Sequence, residues 1–310
     1  MAHSHAHHHG HAHTHAPAAG ADGRWLAVAL ALVLGFMVVE VVAGILADSL
    51  ALLSDAAHML TDAGAIALAL VAARLAARPA RGSYTFGLGR AEILSAQING
   101  VALLVLAAII GWEAAHRLAD PPAVEGAVVV AVGAAGAAVN VAAAWALSRA
   151  ERRSLNVEGA RAHVLADLYG SVAAVAAGLA VLLAGFTAAD GIAALAVALL
   201  MLRSGFGLVV EAGRVLLEGA PRGITPRDVG EAMAAHPGVE EVHDLHVWEV
   251  TSGFPALSAH VLVPPGHDCH ECRRELEQLL HDRFHIAHTT LQVEHGHADE
   301  LLQIGSQPAR

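Results

Sequence analysis

Two short segments of this 310-residue chain carry an imidazole and a carboxylate four residues apart inside otherwise apolar sequence: His58 and Asp62, then His163 and Asp167. A spacing of four puts both groups of each pair on one helix face, one turn apart. Burying an ionisable side chain in a bilayer costs at least ~2.5–3.5 kcal/mol on insertion scales, so such groups face a partner, a water-filled cavity or an ion. If the two faces meet, two imidazole nitrogens and two carboxylate oxygens can surround a divalent ion tetrahedrally, the geometry zinc prefers, and the carboxylates balance its charge. Two separate His–Asp pairs that only bridge helices are the plainer reading, and the repetition of the motif weighs against it. Asp55, one turn before His58, is available as an outer acceptor or a vestibule charge.

The elements that must position these groups are membrane helices. Hydrophobic residues make up 55% of the chain and charged ones 15%, with mean hydropathy +0.53, too apolar for a soluble domain of this length. Six stretches reach the ~20 residues needed to cross a bilayer: 25–45, 50–73, 91–112, 124–147, 160–184 and 188–210. Arg74, Arg78, Arg81 and Arg90 lie between spans two and three, and Arg149, Arg152, Arg153 and Arg161 between four and five. Arg214 and Arg222 follow span six. The links near Asp48, Asp120 and Asp190 hold almost no basic residue, Arg117 excepted, so both termini are expected in the cytoplasm, with the chain in the cell (inner) membrane. Depth poses a difficulty, because Asp62 is central in span two whereas Asp167 is close to Arg161. Either helix five extends beyond the bilayer with Arg161 snorkelling, or the site opens to an inner cavity.

Polarity changes sharply near Pro221. The reading divides the chain into a disordered His-rich tail (1–22), a six-helix domain (23–213), a cytoplasmic α+β domain (214–297) and a C-terminal tail (298–310). Eight histidines in residues 1–15 form a low-complexity tract that could capture metal weakly, the alternative being an expression tag. The N-terminus lacks the features of a cleaved secretory signal. Thr225-Pro226 with Asp228 predicts a helix start, and His236-Pro237-Gly238 its end. Residues 239–250 and 256–263 predict a hairpin around Thr251-Ser252-Gly253-Phe254-Pro255. Leu276, Leu279, Leu280 and Phe284 predict a second helix, and Thr289 to Glu294 a last strand. So small a core calls for a further stabiliser such as dimerisation or bound metal.

Composition also excludes. A net charge of −11 and the absence of lysine argue against a nucleic-acid partner. Cys269 and Cys272 form a single C-x-x-C, which without a second cysteine pair is a slight zinc signal and no disulfide framework. There is no H-E-x-x-H, and both intramembrane carboxylates are needed as ligands, so an intramembrane metallohydrolase is a weak rival and no enzyme is expected. A membrane-anchored zinc sensor is the other rival, and it does not account for polar groups on two spans.

Several motifs together resemble the cation diffusion facilitator family. They are Ser54-Asp55-Ala56-Ala57-His58-Met59-Leu60-Thr61-Asp62, Tyr84-Thr85-Phe86-Gly87, Arg90-Ala91-Glu92-Ile93-Leu94, His163-Val164-Leu165-Ala166-Asp167 and His243-Asp244-Leu245-His246-Val247-Trp248. The resemblance runs from about residue 25 to 295 in the expected order. It implies a homodimeric zinc/proton antiporter with a cytoplasmic ferredoxin-like domain, zinc as the cargo and protons as counter-ion. His58, Asp62, His163 and Asp167 match the family's transport site, in the form that zinc-preferring members carry. His243, His260 and Glu294 match positions that hold regulatory zinc, with Asp244, His246 and His288 as lesser companions. The loop Arg81–Gly89 lacks the Asp and His ligands that certain relatives use for a second metal, so no site is expected there.

Overall fold

The computed structural model describes residues 20–46, 50–119, 126–150, 154–186 and 188–295; the histidine tract and the C-terminal tail lie outside them. Six long helices come first: α1 (Gly20–Leu46), α2 (Leu50–Ala76), α3 (Arg90–Ala119), α4 (Gly126–Ser148), α5 (Leu155–Ala184) and α6 (Ala189–Leu216). Among the described residues four helical stretches are long and apolar enough to cross a membrane: Arg90–Ala119, Val129–Ser148, Leu155–Ala184 and Gly191–Leu216. Gly23–Val39 of α1 is a shorter apolar stretch.

Small residues are prominent in the interior of this bundle, beside large ones such as Leu26, Ile66 and Leu103. Alanines such as Ala29, Ala69, Ala96, Ala143 and Ala160 are buried, while Val39, Trp112, Leu183 and Phe206 point outward. Lipid removes the hydrophobic drive that would gather large side chains inside, and small residues let helices close on one another. The contact between α3 and α6, the most extensive in the molecule, is made this way. A Cβ added at Gly100 would lie 3.2 Å from the Gly205 carbonyl, and one added at Gly205 would lie 3.0 Å from the Gly100 carbonyl. Gly126 and Gly178 repeat the device between α4 and α5.

The ends of the bundle differ. On the side where α1 begins and α4 ends, Trp25 and Trp145 meet edge to face, with Arg24 and Arg149 over their rings. An aromatic belt with cations above it suits a membrane–water boundary. At the other end the exceptional Arg117 is neutralised by Glu113 one turn back, 2.6 Å away.

The soluble domain follows as α7 (Pro226–Ala234), β1 (Glu241–Thr251), β2 (Phe254–Val263), α8 (Cys269–Phe284) and β3 (His288–His295). The sheet order is β1-β2-β3, with β1 antiparallel and β3 parallel to the central β2. Val229 and Met233 of α7 and Leu276 and Leu280 of α8 cover one face, against Leu257, Ala259, Val261 and Val263 of β2. Two details correct the sequence reading. The hairpin turn is Ser252-Gly253 alone, because Gly253 at φ 72° permits a two-residue turn and frees Phe254 and Pro255 to join β2. Helix five begins at Leu155, since Ser154 caps it by accepting from the Val157 N–H at 3.2 Å.

The hairpin tip docks on the membrane domain. Arg90 Nε donates to the Val250 carbonyl (3.2 Å), Thr251 Oγ1 to the Gly89 carbonyl (3.0 Å), and the Leu155 N–H to Ser252 Oγ (3.1 Å).

A bulky residue at the glycine crossing should separate α3 from α6. We expect Gly205→Leu to destabilise the protein by about 1–3 kcal/mol, the usual cost of overpacking, whereas Gly207→Leu, which meets open space, should leave the melting temperature in detergent unchanged. Equal melting of the two variants would contradict the crossing.

Candidate metal-transport site

Two buried amides fix how α2 meets its neighbours. Asn156 Nδ2 on α5 donates to the Ala69 carbonyl of α2 at 2.7 Å, and Asn99 Nδ2 on α3 donates to the Ala65 carbonyl at 3.4 Å. The first bond sets the antiparallel register of α2 and α5. Seven residues, or two turns, from Asn156 leads to His163, and seven residues back from Ala69 leads to Asp62. These two side chains do meet: His163 Nε2 lies 3.7 Å from Asp62 Oδ1, with side-chain exposures of 1% and 9%.

That separation is too long for a direct hydrogen bond. It is close to the edge of a tetrahedron whose ligands sit ~2.0–2.1 Å from a zinc ion, about 3.3 Å. A neutral imidazole and a carboxylate so spaced can grip one divalent cation between them. One turn further along the same register, Asp167 comes level with residue 58 of α2. Asp167 is half-buried, and its backbone carbonyl accepts from Ser171 Oγ at 2.9 Å. The side chains of Asp55 and His58 lie outside the described residues. Among the described residues no three His, Cys, Asp or Glu side chains converge as metal ligands, so Asp167 does not join Asp62 and His163 in a closed cluster.

Asn99 and Asn156 were not singled out in the sequence. Their signal was available: an amide in an apolar helix needs a partner, and Asn156 precedes His163 by two turns on the same face. Glu92, buried in the first turn of α3, sits where the helix dipole favours a carboxylate.

In the soluble domain His243 and His260 are direct cross-strand partners, their rings 5.4 Å apart and edge to face. Gln292 of β3 completes their row, while Glu294 falls one row along, opposite Leu262. Glu294 therefore shares the face of the two histidines without standing beside them. Asp244 at φ 53° forms a bulge, which turns His246 onto that same face. There His246 lies 3.0 Å from Asp244. His288 packs instead against Phe86 and Phe254 at the start of β3.

The two cysteines have different surroundings. Cys272 is buried in the core, and burial, then Glu275 and Cys269, push its thiol above the usual value, so it is not a ready thiolate. Cys269 Sγ lies 3.6 Å from His295 Nε2, a nitrogen that also faces the His267 carbonyl at 3.0 Å. Asp268 caps α8, and the Glu271 and then the His270 backbone N–H groups hold its carboxyl below the usual range.

The fold is thus a bundle of apolar helices with a buried His–Asp pair between two of them, joined to a small αββαβ domain. The comparisons identify its family. Residues 26–217 match the cation efflux transmembrane domain and residues 221–296 the cytoplasmic domain of cation efflux proteins. The chain is 41% identical to the zinc transporter ZitB of Escherichia coli over 276 residues, 88% of each chain. It is 37% identical to the cadmium, cobalt and zinc/H(+)-K(+) antiporter of Bacillus subtilis over 284 residues, 89% of this chain and 91% of the relative. Identity to the metal cation efflux system protein CzcD of Cupriavidus metallidurans is 39% over 290 residues, 92% of each chain. The chain belongs to the cation efflux family; it is a transporter of the cell membrane and not an enzyme.

The register bond should matter to the fold itself. We expect Asn156→Leu to cost about 0.5–1.5 kcal/mol, the net worth of a typical internal hydrogen bond, read as a lower melting temperature of the purified protein. An unchanged melting temperature would remove that bond from the account.

Proposed function

We propose that this protein exports zinc from the cytoplasm in exchange for protons, through a site made of His58, Asp62, His163 and Asp167. The observation that carries the reading is the α2–α5 register, with His163 against Asp62 and Asp167 level with residue 58. Six helices whose basic residues gather on the soluble-domain side support cytoplasmic termini by the positive-inside rule. Asp62 is thirteenth of 27 residues in α2 and Asp167 thirteenth of 30 in α5. The early start of α5 thus accommodates both carboxylates at depth and lets Arg161 snorkel.

Metal and protons compete for the same lone pairs, because ligation needs neutral imidazole and ionised carboxylate. Zinc entering from the cytoplasm displaces protons from the four groups, and protons returning from the opposite side displace zinc. Histidine, with an ordinary pKa of ~6.5, responds to a modest pH difference. Alternating access then requires only that helices rock around a fixed site. Relatives named for zinc, cadmium and cobalt transport and for H(+) antiport support this chemistry. The anchored-sensor reading differs in one outcome, binding without flux.

The soluble domain is matched by a family model named for zinc-transporter dimerisation, which supports a homodimer. His243 and His260 form the start of a regulatory zinc site there, with Glu294 as an adjacent ligand after a small strand adjustment. Bound metal would stabilise the folded dimer by linkage.

Replacing Asp62 or Asp167 with alanine should reduce zinc flux into proteoliposomes under an imposed pH gradient by more than the roughly 10–100-fold that loss of an outer-shell partner costs, while insertion into the membrane persists. Near-parental flux in either variant would overturn the four-residue site.

Zinc should raise the melting temperature of the full-length protein through both sites. In His243→Ala/His260→Ala we expect part of that rise to disappear and flux to remain measurable; a shift equal to the parent's would dismiss the regulatory site.

A further inference from the structure

We propose that the cavity between α5, α6 and the soluble domain binds an anionic phospholipid, whose phosphodiester is held by Arg161 and Arg203. The cavity, about 1550 Å³, is larger than the ~300–1,000 Å³ of an ordinary small-molecule site. It is two-sided in character. Arg222, Ser252 and Gly253 line its aqueous end, and Leu104, Val197 and Leu200 its end within the helix bundle. An amphipathic ligand with a polar head and a hydrocarbon tail fits that gradient.

The arginines give the charge. A Cβ added at Gly159 would touch Leu208, so these residues of α5 and α6 are level, and the two helices run antiparallel. Arg161 is two residues deeper on α5 and Arg203 five residues deeper on α6, which puts them about 5 Å apart in depth. Both are exposed to the cavity. Neither makes a hydrogen bond or ion pair with any described residue, unlike Arg214 and Arg222, which share Glu211 as an ion-pair partner. Such a pair of cations inside membrane helices needs a counter-anion.

Glu158 faces the same cavity one turn nearer the aqueous end, and Glu249 is engaged by the Gly253 N–H. Over the whole lining four arginines face three glutamates, Glu158, Glu211 and Glu249, which leaves one positive charge for one phosphodiester to balance. Guanidinium groups take phosphate oxygens in a bidentate fork, and long arginine side chains reach from a helix flank to the headgroup level. Basic pockets between membrane helices are known to take anionic headgroups. The apolar end distinguishes a lipid from a free phosphate, since it offers nothing to a bare anion.

The inference does not rest on zinc transport, because it needs only that the helices span a bilayer, and its test contains no metal. Delipidated full-length protein in detergent is titrated with phosphatidylglycerol or with phosphatidylcholine of the same chains, and bound lipid is counted by native mass spectrometry. We expect at least a tenfold preference for phosphatidylglycerol. Arg161→Gln/Arg203→Gln should lose the preference while its melting temperature stays within a few degrees of the parent's. Leu200→Trp, which fills the apolar end and leaves the charges, should weaken phosphatidylglycerol binding as well. Equal retention of the two lipids by the parent, or an undiminished preference in the double arginine variant, would overturn the proposal. Displacement of phosphatidylglycerol by millimolar inorganic phosphate would overturn the lipid and leave an anion site. A dimer fraction that changes in the double variant, with no lipid bound by the parent, would assign the cavity to a second copy.

Discussion

A single hydrogen bond, from the Asn156 amide to the Ala69 carbonyl, fixes the register in which His163 of α5 meets Asp62 of α2. Along antiparallel helices register is a matter of counting, and two turns from that bond His163 arrives opposite Asp62. A slip of one residue would rotate His163 by about 100° and send it toward lipid or another helix. Buried amide bonds in membranes are individually modest, on the order of 1 kcal/mol. The specificity comes from the alternative, since any other register leaves both the amide and the ionisable pair misplaced in an apolar medium.

That constraint can act only because the helices come close enough for short side chains to bridge them. Alanine and glycine line the contacts: the Gly100–Gly205 and Gly126–Gly178 pairs bring backbones together, and Ala65 and Ala69 leave their carbonyls within reach of asparagine. Many larger residues, Trp112, Leu183 and Phe206 among them, lie on the outer surface, where lipid receives them at no disadvantage. The same close packing makes the bundle intolerant of extra volume at its crossings and indifferent to it at Gly207.

Much of this was legible in the amino-acid order. The intramembrane pairs declare themselves by cost, because four ionisable groups in apolar sequence at one repeated spacing call for one explanation. The αββαβ order follows from alternation and helical periodicity. The asparagines were missed because an amide carries no charge and calls for no counter-ion; only their distance from His163 and Asp62 marks them. The bulge at Asp244 was illegible for another reason. Strict alternation predicts that His243 and His246 face opposite sides, and one residue in the left-handed region reverses it. The apolar stretch from residue 160 left open whether helix five extends further, because Asn156, Glu158 and Arg161 look like loop to a hydropathy window; Ser154 is the cap that places the start at Leu155. Nothing in sequence alone relates Glu294 to the histidine row, since a parallel pairing has no turn to fix its register.

The hairpin tip joins the two halves of the molecule in a way that bears on the site. The N-terminal N–H groups of a helix have no partner within it, and α5 receives one of its partners, Ser252 Oγ, from the soluble domain. Ser154 supplies another from the chain itself. From that doubly held end, eight residues of regular helix separate Leu155 from His163, about 12 Å. On the neighbouring helix Gly89 and Arg90 are held by Thr251 and the Val250 carbonyl, so α3, whose Asn99 grips α2, is tied to the same two-residue turn. The two helices that fix α2 therefore both begin on the hairpin that carries, at its far end, His243 and His260. The two-stranded ribbon runs from the His243–His260 pair to the helix starts that position His163, and its tip cannot move without breaking the bonds made there to α3 and α5.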